Sequence, residues 1–344
     1  MPSGDRLMAR LLLRALGLAG HRVTVVSDLR AFLRDPGDDA GMAGIEAAVL
    51  DERRRIADLW RAGRAPDLWL CYHPYYKAPD LIGPDLCAAF GVPYATVETS
   101  YSPRRNLGHW AGMQARVLAG IEAAAVNICL TARDAAGIRG AAPGARLARL
   151  APFIDLTEDR DPLPETGHLV AVAMMRPGDK MESYRHLAAA LARVPGEWHL
   201  SVAGDGEMRG GVEALFARFG HRVRFLGLLA PTEVAGLLAR ASVYLWPGCG
   251  EAYGLAYLEA QAASLPVVAC EIAGVPEVVA AGETGLLVPP GDAGAYAGAV
   301  ARLLDDRALR ARMGQAARAR VLRDHSMAAA AARLDAILRG ALGR

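Results

Sequence analysis

Short apolar runs alternate with longer segments of helical periodicity along most of this chain. In the first half, Val23–Val26, Leu68–Cys71, Tyr94–Val97 and Val126–Leu130 are dominated by apolar residues and read as short buried strands. A second series opens with His168–Met175 and continues with His199–Ala203, Val223–Leu226, Val243–Trp246, Val267–Cys270 and Leu286–Val288. Strands that are apolar on both faces and separated by helices predict parallel sheets covered on each side. Two such series predict an α/β protein of two doubly wound, Rossmann-like domains. The join falls in Pro152–Gly167, where Pro152, Pro162 and Pro164 mix with Asp155, Glu158, Asp159, Asp161 and Glu165 and no apolar period survives. The expected division is 1–160, 161–325, and a last Ala-rich amphipathic helix within 326–344. Ligands of open α/β sheets bind at the carboxyl ends of the strands. With two such domains facing each other, the ligand belongs in the cleft between them.

The chain opens against this pattern. A doubly wound domain begins with a strand, yet an Arg-studded helix, Leu7–Leu18, follows almost directly on Met1. Either the start lies upstream or the first sheet lacks its first strand; the reading adopted is a shortened frame. A missing central strand would expose two strand edges.

The segment Pro247–Ala260 carries the densest chemical signal. It follows a buried strand, is rich in glycine, and sets Glu251 and Glu259 on either side of Gly254. A strand that runs through a Gly-rich turn into a helix makes an anion site, because free backbone N–H groups and the helix dipole both face the loop. With a helix starting near Tyr253 or Gly254, Glu251 lies in the loop beside the anion and Glu259 about a turn and a half inside the helix. A ligand with a diphosphate in the middle, a sugar at one end and a ribose at the other suits that arrangement. A carboxylate accepts two hydrogen bonds side by side, as a ribose cis-diol offers them.

Residues Val243–Asp292 resemble the signature of retaining glycosyltransferases of the GT-B fold, the group 1 or family-four class. The matching pieces are the Glu251–Glu259 pair, Leu265–Val268, Gly274–Val279, Gly282–Val288 and Gly291–Asp292, in the family's order. The first half matches more loosely. The resemblance implies that Glu259 holds the ribose hydroxyls and that Glu251 contacts the donor sugar, with Tyr253, Gly254 and Leu255 at the sugar–phosphate end. It also implies that Arg176 and Lys180, after the strand ending at Met175, neutralise the departing diphosphate, a role for which positioned cations are well suited. Gly204 in Gly204-Asp205-Gly206 would let backbone approach the ligand, and Gly227 and Leu228 would receive the nucleobase. In the first domain His73 resembles the family histidine near the donor sugar; a structural histidine is the competing reading. Gly4 would approach the diphosphate from a turn. Glu98, Ser100, Arg104, Arg105 and His109 are placed to line the acceptor side, or belong to an ordinary solvated loop. The family's last helix crosses back onto the first domain.

Composition narrows the picture further. A net charge of +2 over 344 residues argues against a dedicated nucleic-acid binder. Cys71, Cys87, Cys129, Cys249 and Cys270 are scattered without a CxxC, which fits a reducing compartment and argues against a disulfide framework or zinc site. No run reaches the length of a membrane helix. The expectation is a cytoplasmic enzyme, peripheral at most at the inner face of the membrane. Arg10, Arg14 and Arg53–Arg55 are the basic residues that would touch anionic lipid, but neighbours such as Asp51 and Glu52 favour a solvated face. Asp159-Arg160-Asp161 has the form of a metal-binding Asp-x-Asp but reads as linker, because the GT-B class needs no metal for the phosphate. The implied reaction is retaining, metal-independent transfer from a UDP-, GDP- or ADP-sugar to a glycan, lipid-linked or small-molecule acceptor, as in cell-envelope polysaccharide synthesis, with no further cofactor. A non-catalytic sugar-nucleotide binder and a sugar-nucleotide epimerase on the same scaffold are the alternatives.

Overall fold

The computed structural model describes residues 4–156 and 162–343. The chain forms two compact units, one running to Leu150 and taking up the chain again from Ala330, the other Ala151–Ala329. Pro2 and Ser3 of the expected N-terminal turn, and Asp159-Arg160-Asp161, lie outside the described residues.

The first unit begins with helices α1 (Gly4–Leu18) and α2 (Asp39–Leu59). Strands β1 (Trp69–Tyr72), β2 (Tyr94–Val97), β3 (Val126–Cys129) and β4 (Leu147–Arg149) follow, with α3 (Gly83–Phe90), α4 (His109–Ala123) and α5 (Ala132–Ala141) between them. The four strands are parallel and adjacent in chain order. Trp60, Ile82, Leu86 and Tyr94 form one part of the core, and Val117, Ile121 and Ile138 another. Helix α13 (Met327–Ala341) joins this unit from Ala330 onward.

Two expectations fail here. Val23–Val26 is not a strand, and Val23 and Val25 are 40% and 63% exposed. An isolated extended run has no ladder to satisfy its backbone, and the described sheet ends at β1. Gly4 is already helical rather than part of a turn, and a side chain there would touch nothing within 4 Å. Strand β4, only three residues long, has no counterpart in the hydrophobic pattern.

The second unit holds a six-stranded parallel sheet in the order β10-β9-β8-β5-β6-β7. Its strands are β5 (His168–Val172), β6 (His199–Ala203), β7 (Val223–Gly227), β8 (Val243–Leu245), β9 (Val267–Cys270) and β10 (Gly285–Val288). Helices α6 (Asp179–Leu191), α7 (Arg209–Phe216), α8 (Pro231–Arg240), α9 (Leu255–Ala262), α10 (Val275–Val278), α11 (Ala293–Asp305) and α12 (Arg307–Asp324) connect and cover them. Asp292 and Asp306 cap α11 and α12 by accepting the N–H of Ala295 and Leu309, as short acceptors at that position do. Strands β5, β8 and β9 are buried along their whole length, which accounts for their unbroken apolar runs.

Strand β5 stops at Val172, short of Met175, but the chain stays extended: Ala173 N–H donates to Ala203 O and Met175 N–H to Asp205 O. This close pairing explains Gly204. A Cβ there would lie 1.9 Å from the Ala173 carbonyl oxygen, at a φ of +140°. The neighbouring backbone by itself requires a glycine here. Gly204→Ala is therefore expected to destabilise the protein by about 2–4 kcal/mol, read as a fall in thermal midpoint with no nucleotide present. A purely ligand-facing glycine would leave that midpoint unchanged.

Candidate active site

Strands β5 and β8 are neighbours, but the chain runs from β5 outward to β7 before returning to β8. Loops leaving two strands at such a reversal diverge and open a crevice at the carboxyl edge of the sheet. The loops after β5 and β8 carry the second unit's principal candidates.

After β5, Pro177-Gly178 makes the turn, and Gly178, at φ +77°, sits at the N-cap of α6. Lys180 therefore lies in the first turn of α6. After β8 the chain passes Trp246 and turns through Gly248, Gly250 and Gly254 before entering α9. Gly250 permits the approach of the two loops: a Cβ there would stand 2.0 Å from Asp179 Oδ2, at φ +67°. The Cys249 N–H donates to Ser183 Oγ at 2.9 Å, and the Ser183 hydroxyl donates to the Asp179 carbonyl at 2.9 Å, which ties the glycine loop to α6.

These constraints bring Lys180 against Glu251. The ammonium donates to Glu251 Oε1, and the Trp246 indole Nε1–H donates to the same oxygen at 3.0 Å. Side-chain exposure is 25% for Lys180 and 17% for Glu251, so the pair is shielded without being sealed. Lys180 Nζ also stands 5.5 Å from the centre of the Trp246 ring. Trp246 is itself fixed through its carbonyl, which accepts the Tyr257 hydroxyl at 3.0 Å. One carboxylate thus has a cation and an aromatic N–H on Oε1, at the mouth of a helix N-terminus.

Helix α9 has Gly254 as its N-cap and begins at Leu255. Its first backbone N–H groups have no partner within the helix. Tyr253 is buried beside this turn. Glu259 lies on the second turn of α9, half-buried, and burial pushes its carboxyl up to about 7 from an ordinary 4.5. A carboxyl held at that threshold gains much from two hydroxyl donors, which favour its charged form.

Other predicted residues stand apart from this pair. Arg176 is exposed in the loop after β5, and Lys180 already has an anionic partner in Glu251. Gly227 ends β7 at φ +70°, and a Cβ there would lie 3.4 Å from the Arg209 guanidinium. Leu228, just beyond, is 59% exposed, an apolar surface at a strand's carboxyl end.

In the first unit, His73 and Glu98 follow β1 and β2 directly, with φ of +58° and +57°. Left-handed backbone at two non-glycine residues on adjacent strand ends is strained. It is held by His73 N–H donating to Val97 O at 2.8 Å and Glu98 N–H to Ile128 O at 2.9 Å. Glu98 is buried and His73 half-buried against Tyr75. Ser100 N–H bonds Pro74 O at 3.2 Å, joining the two loops. Arg104 and Arg105 are exposed in the short turn Pro103–Arg105. His109 is engaged elsewhere, with Nε2 2.5 Å from Asp39 Oδ1 on α2. Arg53, Arg54 and Arg55 pair with Asp85, Asp51 and Glu52, as a solvated face does. All five cysteines are free thiols. No described helix is long and apolar enough to cross a membrane.

Residues 166–306 match the family described as glycosyl transferases group 1. Over this stretch the second unit is similar to the group 1 glycosyltransferases. D-inositol 3-phosphate glycosyltransferase of Corynebacterium glutamicum is 34% identical over 184 residues, 54% of this chain and 38% of that protein. Glycogen synthase of Mycobacterium tuberculosis is 39% identical over 127 residues, 36% of this chain and 31% of that one. The chain thus spans well under half the length of these curated relatives. Among solved structures, sucrose-phosphate synthase of Thermosynechococcus elongatus aligns with a TM-score of 0.73 over 99% of this chain and 94% of its own, at 22% identity. The Anabaena protein HepE in complex with UDP aligns with a TM-score of 0.68 over 84% of this chain and 82% of its own, at 18% identity. These likenesses establish the fold, two Rossmann-like domains of the GT-B class.

The geometry of the site also depends on residues that sequence reasoning passed over. Trp246 reads as the last apolar residue of a strand, yet its N–H orients Glu251. An indole at the carboxyl end of a buried strand is a usable signal, because a buried Trp N–H needs an acceptor. Ser183 and Tyr257, inside helical patterns, give no such signal.

Proposed function

We propose that this chain is a retaining glycosyltransferase that takes a sugar from a nucleotide-diphospho-sugar and passes it to a hydroxyl of a glycan, lipid-linked or small-molecule acceptor. The observation that carries the reading is the Lys180–Glu251–Trp246 cluster at the start of α9 with the half-buried Glu259 one turn further on. Glu259 holds the ribose diol, and the N-terminus of α9 receives the phosphates. Glu251 orients the donor sugar. Arg176, exposed nearby in sequence, and Lys180 offset the charge that grows on the leaving diphosphate, so the phosphates need no metal. The acceptor oxygen attacks from the face the diphosphate leaves, and the leaving phosphate takes its proton. His73 and Glu98 serve the sugar and acceptor end. Gly227 and Leu228 receive the base; the family match and the UDP complex of HepE support a nucleotide-bearing donor in general. A cytoplasmic enzyme with at most weak contact to the membrane surface fits this reading.

The first test is thermal unfolding with UDP, GDP, ADP and TDP. A nucleotide at a hundred times its dissociation constant stabilises by about 2.7 kcal/mol, an easily measured shift. One of the four is expected to raise the midpoint. A response to none of them by folded protein would overturn the reading. A sugar nucleotide converted without any acceptor would point to the epimerase alternative.

A further inference from the structure

At the opposite, amino end of β5 and β6, far from the glycine loop, Glu165, His168 and His199 converge. One ligand atom from each lies within 4.8 Å of the other two. His168 and His199 are register partners on adjacent parallel strands. Their rings stack, 4.5 Å between centres and 19° from parallel. Glu165 is fixed beside them by a tight turn in which His168 N–H donates to Glu165 O at 3.2 Å. Gly167 supplies the turn's positive φ of +76°. A second anchor is the Glu165 N–H, which donates to Arg240 O at 2.8 Å.

The spacing is not that of hydrogen bonds. Glu165 Oε2 lies 3.5 Å from His168 Nδ1 and 3.9 Å from His199 Nε2. Both exceed the usual hydrogen-bond range. Ligands on a tetrahedral ion with bonds of about 2.0–2.1 Å stand roughly 3.3–3.4 Å apart, so binding draws the three atoms together and swings the two rings out of their stack, because lone pairs in near-parallel planes do not converge on one ion. His168 is 4% exposed, and its Nδ1 is buried without a hydrogen-bond partner. Its Nε2 is 2.9 Å from Ser201 Oγ. In the tautomer whose Nε2–H donates to Ser201 Oγ, Nδ1 carries a lone pair that can take a cation. An outer partner on the second ring nitrogen is how metal-bound histidines are oriented.

We propose that Glu165, His168 and His199 bind a first-row transition-metal ion of the Zn2+ class, which would clip the segment entering β5 to β6. Two imidazoles and one carboxylate favour such ions over Mg2+ or Ca2+, which take oxygen. The nearby cations do not take the ligand atoms. Arg240 approaches the other carboxylate oxygen, Oε1, at 3.8 Å. Arg222 lies over the Trp198 ring at 3.7 Å and bonds the carbonyls of Trp198 and Gly196. Arg224 and His221 line the same cavity of about 380 Å³, leaving room for a water as fourth ligand.

The test titrates the chelator-treated full chain with Co2+, read by its tetrahedral visible absorption, and then displaces it with Zn2+. One equivalent is expected per chain, with a raised thermal midpoint. His199→Ala and Glu165→Gln, both at partly exposed side chains, should each weaken uptake by more than about tenfold, and Ser201→Ala by about tenfold or more through His168. Their metal-free melting and nucleotide response report whether they are folded. Absence of stoichiometric uptake by the wild-type chain overturns the proposal. So does uptake that survives both ligand substitutions.

Discussion

Glu251→Gln is expected to slow sugar transfer by about 10²–10³-fold while changing nucleotide affinity little, the signature of a group that acts in the transition state rather than in binding. The glutamine keeps the shape but loses the charge that Lys180 faces. The Lys180 ammonium and the Trp246 N–H both converge on Oε1. Lys180→Ala should lower the rate as well, and the double variant should cost less than the two losses combined, because each single change disables the same unit. Single-turnover rates with each purified variant, beside their melting curves, check this. Unchanged transfer by folded Glu251→Gln would remove the residue from the reaction.

Glu259→Gln carries two effects of opposite sign. Two hydrogen bonds to a charged acceptor are worth about 1.5–3 kcal/mol each, so replacement should weaken nucleotide binding by roughly a hundredfold or more above pH 7. Because burial pushes the carboxyl up to about 7, the diol must work against a bound proton at lower pH. Wild-type affinity should then fall by up to about tenfold per pH unit below 7, and the variant's should not. Stability moves the other way. The folded-state value lies above the ordinary 4.5, so the stability linked to this proton is complete below 4.5 and is lost as pH rises through 7. Above pH 7, without nucleotide, the glutamine variant should be more stable by about 1–2 kcal/mol, allowing for partial exposure. Calorimetric titration from pH 5.5 to 8.5, with melting at the same points, separates the two. A variant with wild-type affinity would show that Glu259 does not hold the ribose.

Much of the second unit was legible because its sheet is parallel and covered. Strands such as β9, buried at every position, write themselves as unbroken apolar runs, and β6 and β9 match their predicted bounds. The N-cap at Gly254 is equally local: a glycine turn leading into a helix needs only a few residues to specify it. The first unit was harder. Val23–Val26 has the composition of a strand, but strands exist only in ladders, and a run of four residues cannot report whether a partner lies beside it. Strand β4 failed for the converse reason, since its three half-buried residues become a strand through pairing with β3.

For the site, the chain alone determined which residues stand at strand ends and helix starts, because turn chemistry and apolar period are properties of neighbours in sequence. It therefore located Glu251, Glu259, Lys180 and His73. Only the tertiary structure decided what they touch. Lys180 meets Glu251 because β5 and β8, far apart along the chain, are adjacent where the sheet order reverses. Trp246 turned from a core residue into a donor when that loop folded over it. The Glu165–His168–His199 cluster likewise depends on the register between β5 and β6. Registers and crevices arise from pairing across distance, and no stretch of sequence contains them.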